Sequence, residues 1–546
     1  RCEAPPGGGV ACASIDKQFL KPIAVGSANG DVGSIDPAHV TGVLEYDIAR
    51  RIFPPLVTLD GNLKPIDWAA KSHEVSEDRL TWTFHLNKGM KWSDGNPIDS
   101  KTFAYSINRM LDPCTRSEVA RYLFGIQGAA AFHAGACPAG AHTSAKTLVG
   151  SSIIAGDPMT LQIKLSAPDP SFLFALATPG AWAVPKQLIS TDFGHWTERL
   201  ADDDGFGGNL YKASKWDHAG HFEMAVNDSF WGKKPILPKI LFTLYRDATV
   251  AVSDYKSGVG DMITAPIAPS DDLRNLKGTN YSAIPALDLT YLIPNWRLAP
   301  FDDLRMRQAL ALAVDRRALL HDAARETDLP TIHIVPAGLS QYTADLRDSA
   351  DRTGDAALTS APEKAVALAQ SYANANCGGA LSACSPITLT YADAPDQQTL
   401  AQALLAQWRR ILPGLQFSVR AVAPATLDQS ARLSQLTLTT WRADLPDTLA
   451  MLLSRLRTGG AQNLGAASVP DADTLLDQAA TISTGSGEVS LDQISHAEQL
   501  YATNVAWIPL AQGTFAQAMR SNVIGLTYGA DQHISLTTWQ TAYIRA

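Results

Sequence analysis

Hydrophobic positions recur along the chain at two different intervals, and each interval predicts a different element. Apolar residues at every second position predict β-strands at 79–86, 160–167, 221–227 and 239–245. Apolar residues at helical spacing predict helices at 45–57, 100–111, 303–324, 363–375, 397–412 and 471–482. We expect Pro54 and Pro55 to end the first of these helices and Ser100 to cap the second.

Helices and strands alternate most regularly after residue 300. The helices at 363–375 and 397–412 are each followed by a strand-like run, at 387–392 and 415–422. This order is typical of α/β folds, in which helices cover a sheet. Because 546 residues exceed what one hydrophobic core can organise, we expect about two to four domains.

Charge and hydropathy exclude two classes of function. The net charge of −9 at pH 7 argues against nucleic-acid binding, which depends on clustered Lys and Arg. The chain has no run of about 18 apolar residues, so we expect no membrane-spanning helix. It also begins without the apolar region of a secretion signal, and we expect any export signal to have been removed already.

Six cysteines fall into three pairs that are close in sequence. The pairs are Cys2 with Cys12, Cys114 with Cys137, and Cys377 with Cys384. Each pair encloses sequence rich in Gly, Pro, Ala or Ser, as is typical of loops. Zinc binding would require CxxC spacing or neighbouring His residues, and the chain has neither. We therefore predict three local disulfides and an oxidising, extracytoplasmic compartment.

Sequence motifs of catalysis are scarce. The chain has no Walker-type phosphate loop, no GxSxG motif and no HExxH motif. The string "HAGH" places His218 and His221 in a predicted turn, where a surface metal site is one interpretation and two exposed histidines the favoured one. We predict that the protein is not an enzyme and that it uses neither a metal nor another cofactor.

Four segments carry a family resemblance. They are "GSIDPAHVTGVLEYDIARRIFPPLVTLDGNLKPIDWAAK" (33–71), "LTWTFHLNKGMKWSDGNPIDSKTFAYSINRMLDP" (80–113), "PFDDLRMRQALALAVDRRALL" (300–320) and "WRADLPD" (441–447). The second contains K-G-x-x-x-x-D-G before a helix that ends in D-P, and the third contains P-F-D-D-x-R-x-R-Q-A. In this order and spacing the segments resemble the peptide-class (family 5) extracellular solute-binding proteins of bacterial ABC importers, which include dipeptide and oligopeptide receptors.

The resemblance implies an α/β fold of the periplasmic-binding-protein kind, in its type II, large three-domain variant. Such a fold has two lobes, a hinge and a ligand cleft. We expect a tail at 1–19, a lobe I made from 20–55, 190–285 and 510–546, an appended α/β domain II at 56–189, and a lobe III at 286–509.

Two of the matching segments are structural in this family. The resemblance implies that the stretch 81–95 is a scaffold hairpin in which Trp82 and Phe84 pack while Lys88, Lys91 and Asp94 lie at the surface. The third segment carries Arg305, Arg307, Asp315 and Arg316, which we expect to form ion pairs.

The resemblance places the first binding residue after a Trp-x-x step. Here the step is Trp441, Arg442 and Ala443, and Asp444 would hold the terminal ammonium of a peptide. A carboxylate left desolvated without a partner costs several kcal/mol, and a ligand ammonium removes that cost. The alternative is that Asp444 is an N-cap or loop residue before the next helix.

A second binding segment follows the S-x-D-P string. Thr41, Gly42, Val43 and Leu44 would offer main-chain groups to an extended ligand, and strand-like bonding of this kind is insensitive to side-chain identity. Glu45 and Tyr46 belong to the same segment, although the following helix is the alternative for both. Tyr291 and Asn295 could line the cleft or hinge, with plain packing as the alternative.

The predicted function is capture of short peptides by an extracytoplasmic protein that delivers them to the permease of an ABC transporter. Alternatives within the family are an oligosaccharide or a metal chelate such as nickel as ligand, and a signalling-peptide receptor that does not transport. We expect a secreted or periplasmic monomer that binds no nucleic acid. A lipid anchor upstream of the given sequence, as in a lipoprotein, is a further alternative.

Overall fold

The computed structural model describes most of the chain. The described residues are 19–26, 30–40, 42–202, 204–339, 342, 358–483 and 491–545. They form two compact units. Unit 1 contains the described residues up to Ile284 and from Phe515 onward, and unit 2 contains those from Pro285 to Thr514. The division into lobe I, domain II and lobe III stays a prediction.

The strands are numbered in chain order. They are β1 (Pro22–Val25), β2 (Val57–Leu59), β3 (Pro65–Asp67), β4 (Ala70–Val75), β5 (Thr81–Leu86), β6 (Ile153–Asp157), β7 (Thr160–Lys164), β8 (Tyr211–Trp216), β9 (His221–Val226), β10 (Lys239–Tyr245), β11 (Met262–Ile267), β12 (Thr279–Pro285), β13 (Asp288–Pro294), β14 (Leu329–Pro330), β15 (Ile387–Ala392), β16 (Phe417–Val422), β17 (Leu436–Arg442), β18 (Ile508–Gln512), β19 (Thr514–Arg520), β20 (Val523–Ile524) and β21 (Tyr543–Ile544).

The α-helices are numbered in the same way. They are α1 (Val43–Ile52), α2 (Ser100–Leu111), α3 (Ala129–His133), α4 (Phe172–Ala177), α5 (Lys186–Thr191), α6 (Ala248–Ser257), α7 (Asp271–Arg274), α8 (Leu304–Leu312), α9 (Arg316–Asp322), α10 (Pro362–Asn376), α11 (Pro395–Ile411), α12 (Leu427–Ala431), α13 (Thr448–Arg455), α14 (Pro470–Ser483), α15 (Leu491–Thr503) and α16 (Leu536–Trp539). Short 3₁₀ helices lie at Glu118–Leu123, Pro179–Ala181, Glu198–Ala201, Leu381–Ala383 and Pro424–Thr426.

A mixed sheet of seven strands organises unit 1, in the order β12-β19-β11-β1-β10-β9-β8. Strand β1 lies between two parallel neighbours, so that Ile23 is opposite both Thr243 and Ile263. The alternation in the sequence predicted β9 and β10, which pair antiparallel with Phe222 opposite Phe242. The side chains of Ile23, Ile263, Phe222 and Phe242 are buried in the interior of unit 1. Thr243 is only partly buried.

Unit 1 also contains an antiparallel sheet in the order β4-β5-β7-β6. Its central strand β5 carries Trp82 and Phe84, both buried. Lys88, Lys91 and Asp94, which follow the strand, are exposed. The predicted packing of Trp82 and Phe84 and the predicted exposure of the three polar residues are therefore confirmed. Strand β5 pairs with β4 and β7 and not with the residues that follow it, so the 81–95 stretch is not itself a hairpin, and its scaffold role stays a prediction. Two further pairs of short strands are β2 with β3 and β20 with β21.

The ends of two helices in unit 1 differ from the prediction. Helix α1 stops at Ile52, immediately before Phe53 and the two prolines. Helix α2 is capped by Asp99 and not by Ser100, because the Asp99 carboxylate accepts the Thr102 main-chain N–H while the Thr102 hydroxyl accepts the Asp99 N–H. This reciprocal arrangement satisfies two helix-terminal donors that a serine one residue later could not reach.

A sheet of six strands organises unit 2, in the order β14-β18-β13-β17-β15-β16. Helices α8, α10 and α11 cover it, and their apolar faces join the strands in one core that includes Leu310, Leu404, Trp408, Leu389 and Leu438. The indole of Trp408 donates to the Leu310 carbonyl at 3.2 Å, which satisfies its only polar atom inside that core.

The long helix predicted at 303–324 is two helices, α8 and α9. The break occurs because Asp315 caps α9, with its side chain accepting the main-chain N–H of Ala318. Apolar residues are buried on both sides of the break, Leu312 before it and Leu319 after it, so the hydrophobic pattern continues across it. Periodicity alone could not locate the boundary.

The ion pairs predicted for this segment are only partly present. Arg305 does pair with Asp303. Arg307 instead donates to the main-chain carbonyls of Phe301 and Asn504. Arg316, which is buried, donates to the carbonyls of Pro509 and Leu358. Guanidinium groups carry five donors, so a buried arginine can join several chain segments without an acid.

The structure joins Cys114 to Cys137 and Cys377 to Cys384, as the sequence predicts. The predicted pair of Cys2 and Cys12 lies outside the described residues. Within the described part of the chain, no helix combines the length and the apolar character needed to cross a membrane.

Candidate functional site

Strand β17 of unit 2 has an edge that is open along most of its length. On one side it pairs with β13 over all seven residues, from Asp288 opposite Arg442 to Pro294 opposite Leu436. On the other side it pairs with β15 only at Leu436 and Thr437. No other described strand pairs with residues 438–442 on that side.

The register shows which main-chain groups face the open edge. The Ala443 N–H donates to the Leu287 carbonyl, and the Asn295 N–H donates to the Gln435 carbonyl. In an antiparallel ladder the hydrogen-bonded pairs alternate, so odd-numbered residues of β17 direct their N–H and C=O groups toward β13. The even-numbered residues Leu438, Thr440 and Arg442 therefore direct theirs away from β13. The parallel pairing of Thr390 with Thr437 takes up the Leu438 N–H, so the Leu438 carbonyl and both groups of Thr440 and Arg442 face the open edge.

Asp444 lies in the loop immediately after β17 and is exposed. The helix that follows, α13, is capped by Asp447, whose carboxylate accepts the Ala450 N–H at 3.2 Å. The alternative in which Asp444 is the N-cap is therefore wrong. Asp444 is a loop residue that places a carboxylate just beyond the end of the open edge.

The other residues of the Trp-x-x step have different environments. Trp441 is half-buried, and the Arg455 guanidinium of α13 lies over its ring at 5.3 Å from the centroid. Arg442 is exposed, with a guanidinium nitrogen 4.0 Å from an Asp288 carboxylate oxygen. The main-chain N–H of Ala443 is already used by Leu287, so in this structure it is not available to a ligand.

Tyr291 and Asn295 are both buried inside unit 2. The Tyr291 ring stacks on Trp507 with centroids 4.0 Å apart, and burial raises the pKa of Tyr291 to about 12. The Asn295 amide donates to the Arg432 carbonyl and its oxygen accepts the Arg297 N–H, both at 3.1 Å. These partners support the packing alternative for both residues, and direct contact with a ligand stays a prediction.

The segment predicted to bind a ligand through extended main chain is largely helical. Thr41 lies outside the described residues. Gly42 is the N-cap of α1, and Val43 and Leu44 are already in its first turn. Their carbonyls are therefore committed to the helix, and a strand-like ladder through Val43 and Leu44 is wrong. Only the N–H groups of a first turn remain available for an external acceptor.

Glu45 and Tyr46 have structural partners within unit 1. Glu45 accepts the Gly33 N–H at 2.7 Å, and a Cβ atom on Gly42 would lie only 2.0 Å from its other carboxylate oxygen. The Tyr46 ring stacks on His533 at 4.1 Å between centroids, and burial raises its pKa to about 12. Both side chains therefore fix the start of α1, and their contact with a ligand stays a prediction.

A buried polar cluster in unit 1 was not predicted. Asp47 lies 3.4 Å from the Arg51 guanidinium and 3.2 Å from Nδ1 of His533. Burial by itself would raise the pKa of Asp47, but Arg51 and His533 more than offset that effect and lower it. The spacing of Asp47 and Arg51 on one helix face was a visible signal, whereas His533 is distant in sequence and gave none.

The two histidines of "HAGH" do not share a ligand position. His218 contacts Asp31 at 3.0 Å, and His221 contacts Asp217 at 2.9 Å. In the described part of the chain, no cluster of three or more His, Cys, Asp or Glu side chains could hold a metal ion.

Comparison with known proteins identifies the family. A model of the bacterial extracellular solute-binding proteins, family 5 (middle region), matches residues 64–463. The chain belongs to this family, so it is a solute-binding protein and not an enzyme. The α/β fold of the periplasmic-binding-protein kind predicted from the sequence is confirmed.

Relatives and solved structures agree with this assignment. The dipeptide-binding protein DppE of Bacillus subtilis is 25% identical over 481 residues, which cover 87% of this chain and 84% of that protein. The periplasmic oligopeptide-binding protein OppA of Salmonella typhimurium is 31% identical over 326 residues, 59% of this chain and 57% of that protein. The unliganded open form of the murein tripeptide-binding protein MppA superposes with a TM-score of 0.80 at 22% identity, covering 98% of this chain and 99% of that structure.

Proposed function

We propose that this protein binds short peptides outside the cytoplasm and delivers them to the membrane permease of an ABC importer. The names of its relatives support peptides as the ligand class, since one is a dipeptide-binding and another an oligopeptide-binding protein. The observation that carries the proposal is the open edge of β17 with a carboxylate at its end.

The open edge suits the main chain of an extended peptide. Thr440 and Arg442 each offer one N–H donor and one C=O acceptor there, and Leu438 offers its C=O. An added strand would use these groups as a neighbouring strand does. Five residues of strand, from 438 to 442, span about 17 Å, so the edge matches a peptide of about five residues or fewer. Because these bonds involve only main chain, affinity would depend little on side-chain identity.

Asp444 gives the edge a direction. A peptide that runs antiparallel to β17 would bring its N-terminus toward Asp444, where the ammonium and the carboxylate would form a charge-assisted hydrogen bond. An acetylated N-terminus has no positive charge, so it could not form this charge-assisted hydrogen bond. The proposal therefore includes selectivity for free N-termini.

Export, monomeric state and a lipid anchor are the remaining parts of the proposal. The family description is extracellular, and the two described disulfides fit an oxidising compartment. A monomer is the simplest form for a receptor that presents its ligand to a permease. The segment that would carry an anchor lies outside the described residues.

The test uses protein that has been unfolded and refolded to remove any ligand acquired during expression. Peptides of two to five residues, each with a free or an acetylated N-terminus, are titrated by calorimetry and by thermal shift. Malto- and cello-oligosaccharides and a nickel chelate provide the other ligand classes. Binding to the folded state alone stabilises it by about 2.7 kcal/mol at a hundredfold excess over Kd.

We expect free peptides to bind, acetylated peptides to bind at least tenfold more weakly, and Asp444→Asn to remove that difference. Asp322→Asn is the matched control, because Asp322 is also an exposed aspartate of unit 2 but ends helix α9. Equal affinity for both peptide forms in the wild type would disprove the role of Asp444. Binding of sugars or the chelate without peptides would disprove the ligand class.

A further inference from the structure

A cavity of about 230 Å³ lies in unit 2 at the end of the sheet opposite Asp444. Its lining includes Asn295, Arg297, Arg432, Thr458, Gly459 and Asn463. Arg432 precedes β17 and Asp444 follows it, and the seven residues of the strand separate the two ends by about 20 Å. The cavity is therefore distinct from the peptide edge, and we call it the arginine cavity.

One wall of the arginine cavity is a loop held tightly against the end of β13. The Trp296 N–H donates to the Gly465 carbonyl at 2.9 Å, and a Cβ atom on Gly465 would lie 2.5 Å from the Pro294 carbonyl oxygen. A Cβ atom on Gly460 would likewise lie 2.5 Å from the Ser454 carbonyl oxygen. At both positions the close approach of main chain leaves no room for a Cβ atom, so glycine is required there.

Buried asparagines fix the rest of the wall. The Asn463 amide donates to the carbonyls of Leu456, Arg457 and Ala467, and its oxygen accepts the Ala467 N–H. Asn295 bonds to the main chain of Arg432 and Arg297, as described above, and so holds the two arginine-bearing segments together. The cavity is therefore preorganised by groups whose own hydrogen bonds are satisfied.

Donors without protein partners remain in this cavity. The Arg297 guanidinium has no hydrogen-bond or ion-pair partner among the described residues. Arg432 uses one terminal nitrogen on the Ala461 carbonyl at 2.7 Å, and its remaining nitrogens have none within the same part of the chain. The Gly459 N–H also bonds to no described residue. Three separate groups can therefore donate to a bound molecule.

None of the described residues that line the cavity is acidic. Two acids of the adjoining helix α14 are already engaged, since Asp477 forms two hydrogen bonds with Arg457 and Asp473 accepts the Tyr501 hydroxyl and the Thr458 N–H. The positive charges of Arg297 and Arg432 are therefore not balanced by an acidic side chain among the described residues that line the cavity. Planar guanidinium groups recognise carboxylate and phosphate oxygens in pairs, which a monovalent halide cannot reproduce.

We propose that the arginine cavity is a second binding site, for a small multivalent oxyanion such as a phosphate or a polycarboxylate. Arg297 and Arg432 bind its oxygens, and the Gly459 N–H contributes a third donor. This site is independent of peptide capture, because it uses none of the residues at the open edge of β17.

The test titrates inorganic phosphate and, separately, citrate into the wild-type protein at constant ionic strength maintained with sodium chloride. The test variant is Arg297→Gln with Arg432→Gln. The control variant is Arg317→Gln with Arg410→Gln, which removes the same charge from two exposed arginines of unit 2 that lie outside the cavity. Calorimetry gives the dissociation constant, and thermal shift gives the concentration at which stabilisation saturates.

We expect saturable binding of at least one anion in the wild type and the control variant, weakened at least tenfold in the test variant. Binding of phosphate but not citrate would indicate that the site recognises a phosphoryl group. Binding of citrate but not phosphate would indicate that it recognises carboxylates. Absence of saturable binding in the wild type would overturn the proposal. Equal shifts in all three proteins would also overturn it, since phosphate and citrate stabilise many proteins by general exclusion from the surface.

Discussion

Asp36 and Arg109 form a buried, two-point ion pair in unit 1. The guanidinium nitrogens lie 2.9 and 2.6 Å from the two carboxylate oxygens, and both residues are almost inaccessible to solvent. Asp36 also accepts the Trp196 indole N–H at 3.1 Å and the Ala38 N–H at 3.0 Å. The pair joins the segment before α1 to helix α2, so the aspartate of the S-x-D-P string has a structural role.

Removing one partner of this pair should destabilise the protein strongly. Asp36→Asn and Arg109→Met each leave an uncompensated buried charge or donor, and such changes typically cost about 3–5 kcal/mol. We expect each single variant to lose that much free energy of unfolding, as measured by urea titration. The double variant should lose less than the sum of the two single losses. Losses of under 1 kcal/mol in both single variants would show that solvent reaches the pair.

The same pair should make stability depend on acid. Burial by itself would raise the pKa of Asp36, but Arg109 more than offsets that effect and lowers it. A carboxyl whose pKa is lower in the folded state contributes stability at neutral pH, and this contribution is lost as pH falls from about 4 through the folded-state pKa. Asp47, whose pKa is lowered by Arg51 and His533, acts in the same direction.

The measurement for this dependence is the unfolding free energy between pH 7 and pH 2. We expect the wild type to lose stability progressively below about pH 4. Asp36→Asn should show a shallower decline, because it lacks one of the shifted groups. Parallel curves for the two proteins would contradict the assigned shift.

Proline at two neighbouring positions of β17 should separate binding from folding. In Thr440→Pro the lost N–H faces the open edge and the Thr290 hydroxyl loses one partner. We therefore expect a stability loss of about 1 kcal/mol while peptide affinity falls at least tenfold. In Thr439→Pro the lost N–H faces β13, and the ring would enter an occupied ladder, so we expect unfolding or a loss of well over 1 kcal/mol. Urea titration and calorimetry measure the two effects, and a fully active Thr440→Pro would exclude strand addition at this edge.

The two described disulfides should contribute unequally to stability. Cys114 and Cys137 are 23 residues apart, whereas Cys377 and Cys384 are 7 apart. In the chain-entropy model the longer loop gains about 1 kcal/mol more from its cross-link. Replacing each pair by two alanines should reproduce this order in urea unfolding, and a larger loss from the 377–384 pair would show that native packing around it dominates.

Local features of the fold were predictable because they depend on neighbouring residues. Alternating apolar positions identified β5, β7, β9 and β10, and the cysteine spacing gave the 114–137 and 377–384 bonds. Helix boundaries were less predictable. Asp99 is the N-cap where the pattern indicated Ser100, and Asp315 is an N-cap inside a stretch where the pattern indicated one continuous helix. A single side chain decides such a boundary, and periodicity averages over it.

The candidate site shows the same division. The string ending in Asp444 was visible in the sequence, as was the family to which it belongs. That Leu438, Thr440 and Arg442 face an open edge follows only from the register of β17 with β13 and β15. The sequence also suggested extended main chain at Val43 and Leu44, where the structure has the first turn of a helix.

The sequence by itself determined the alternation of helices and strands, the two described disulfides and the family, since each depends on residues close together in the chain. The tertiary structure decided which distant groups meet. Asp36 and Arg109 are 73 residues apart and Asp47 and His533 are 486 apart, and neither pairing has a local signature. Only the path of the folded chain brings such groups within hydrogen-bond distance. Their pairing matters because a buried charge without a partner would destabilise the folded state.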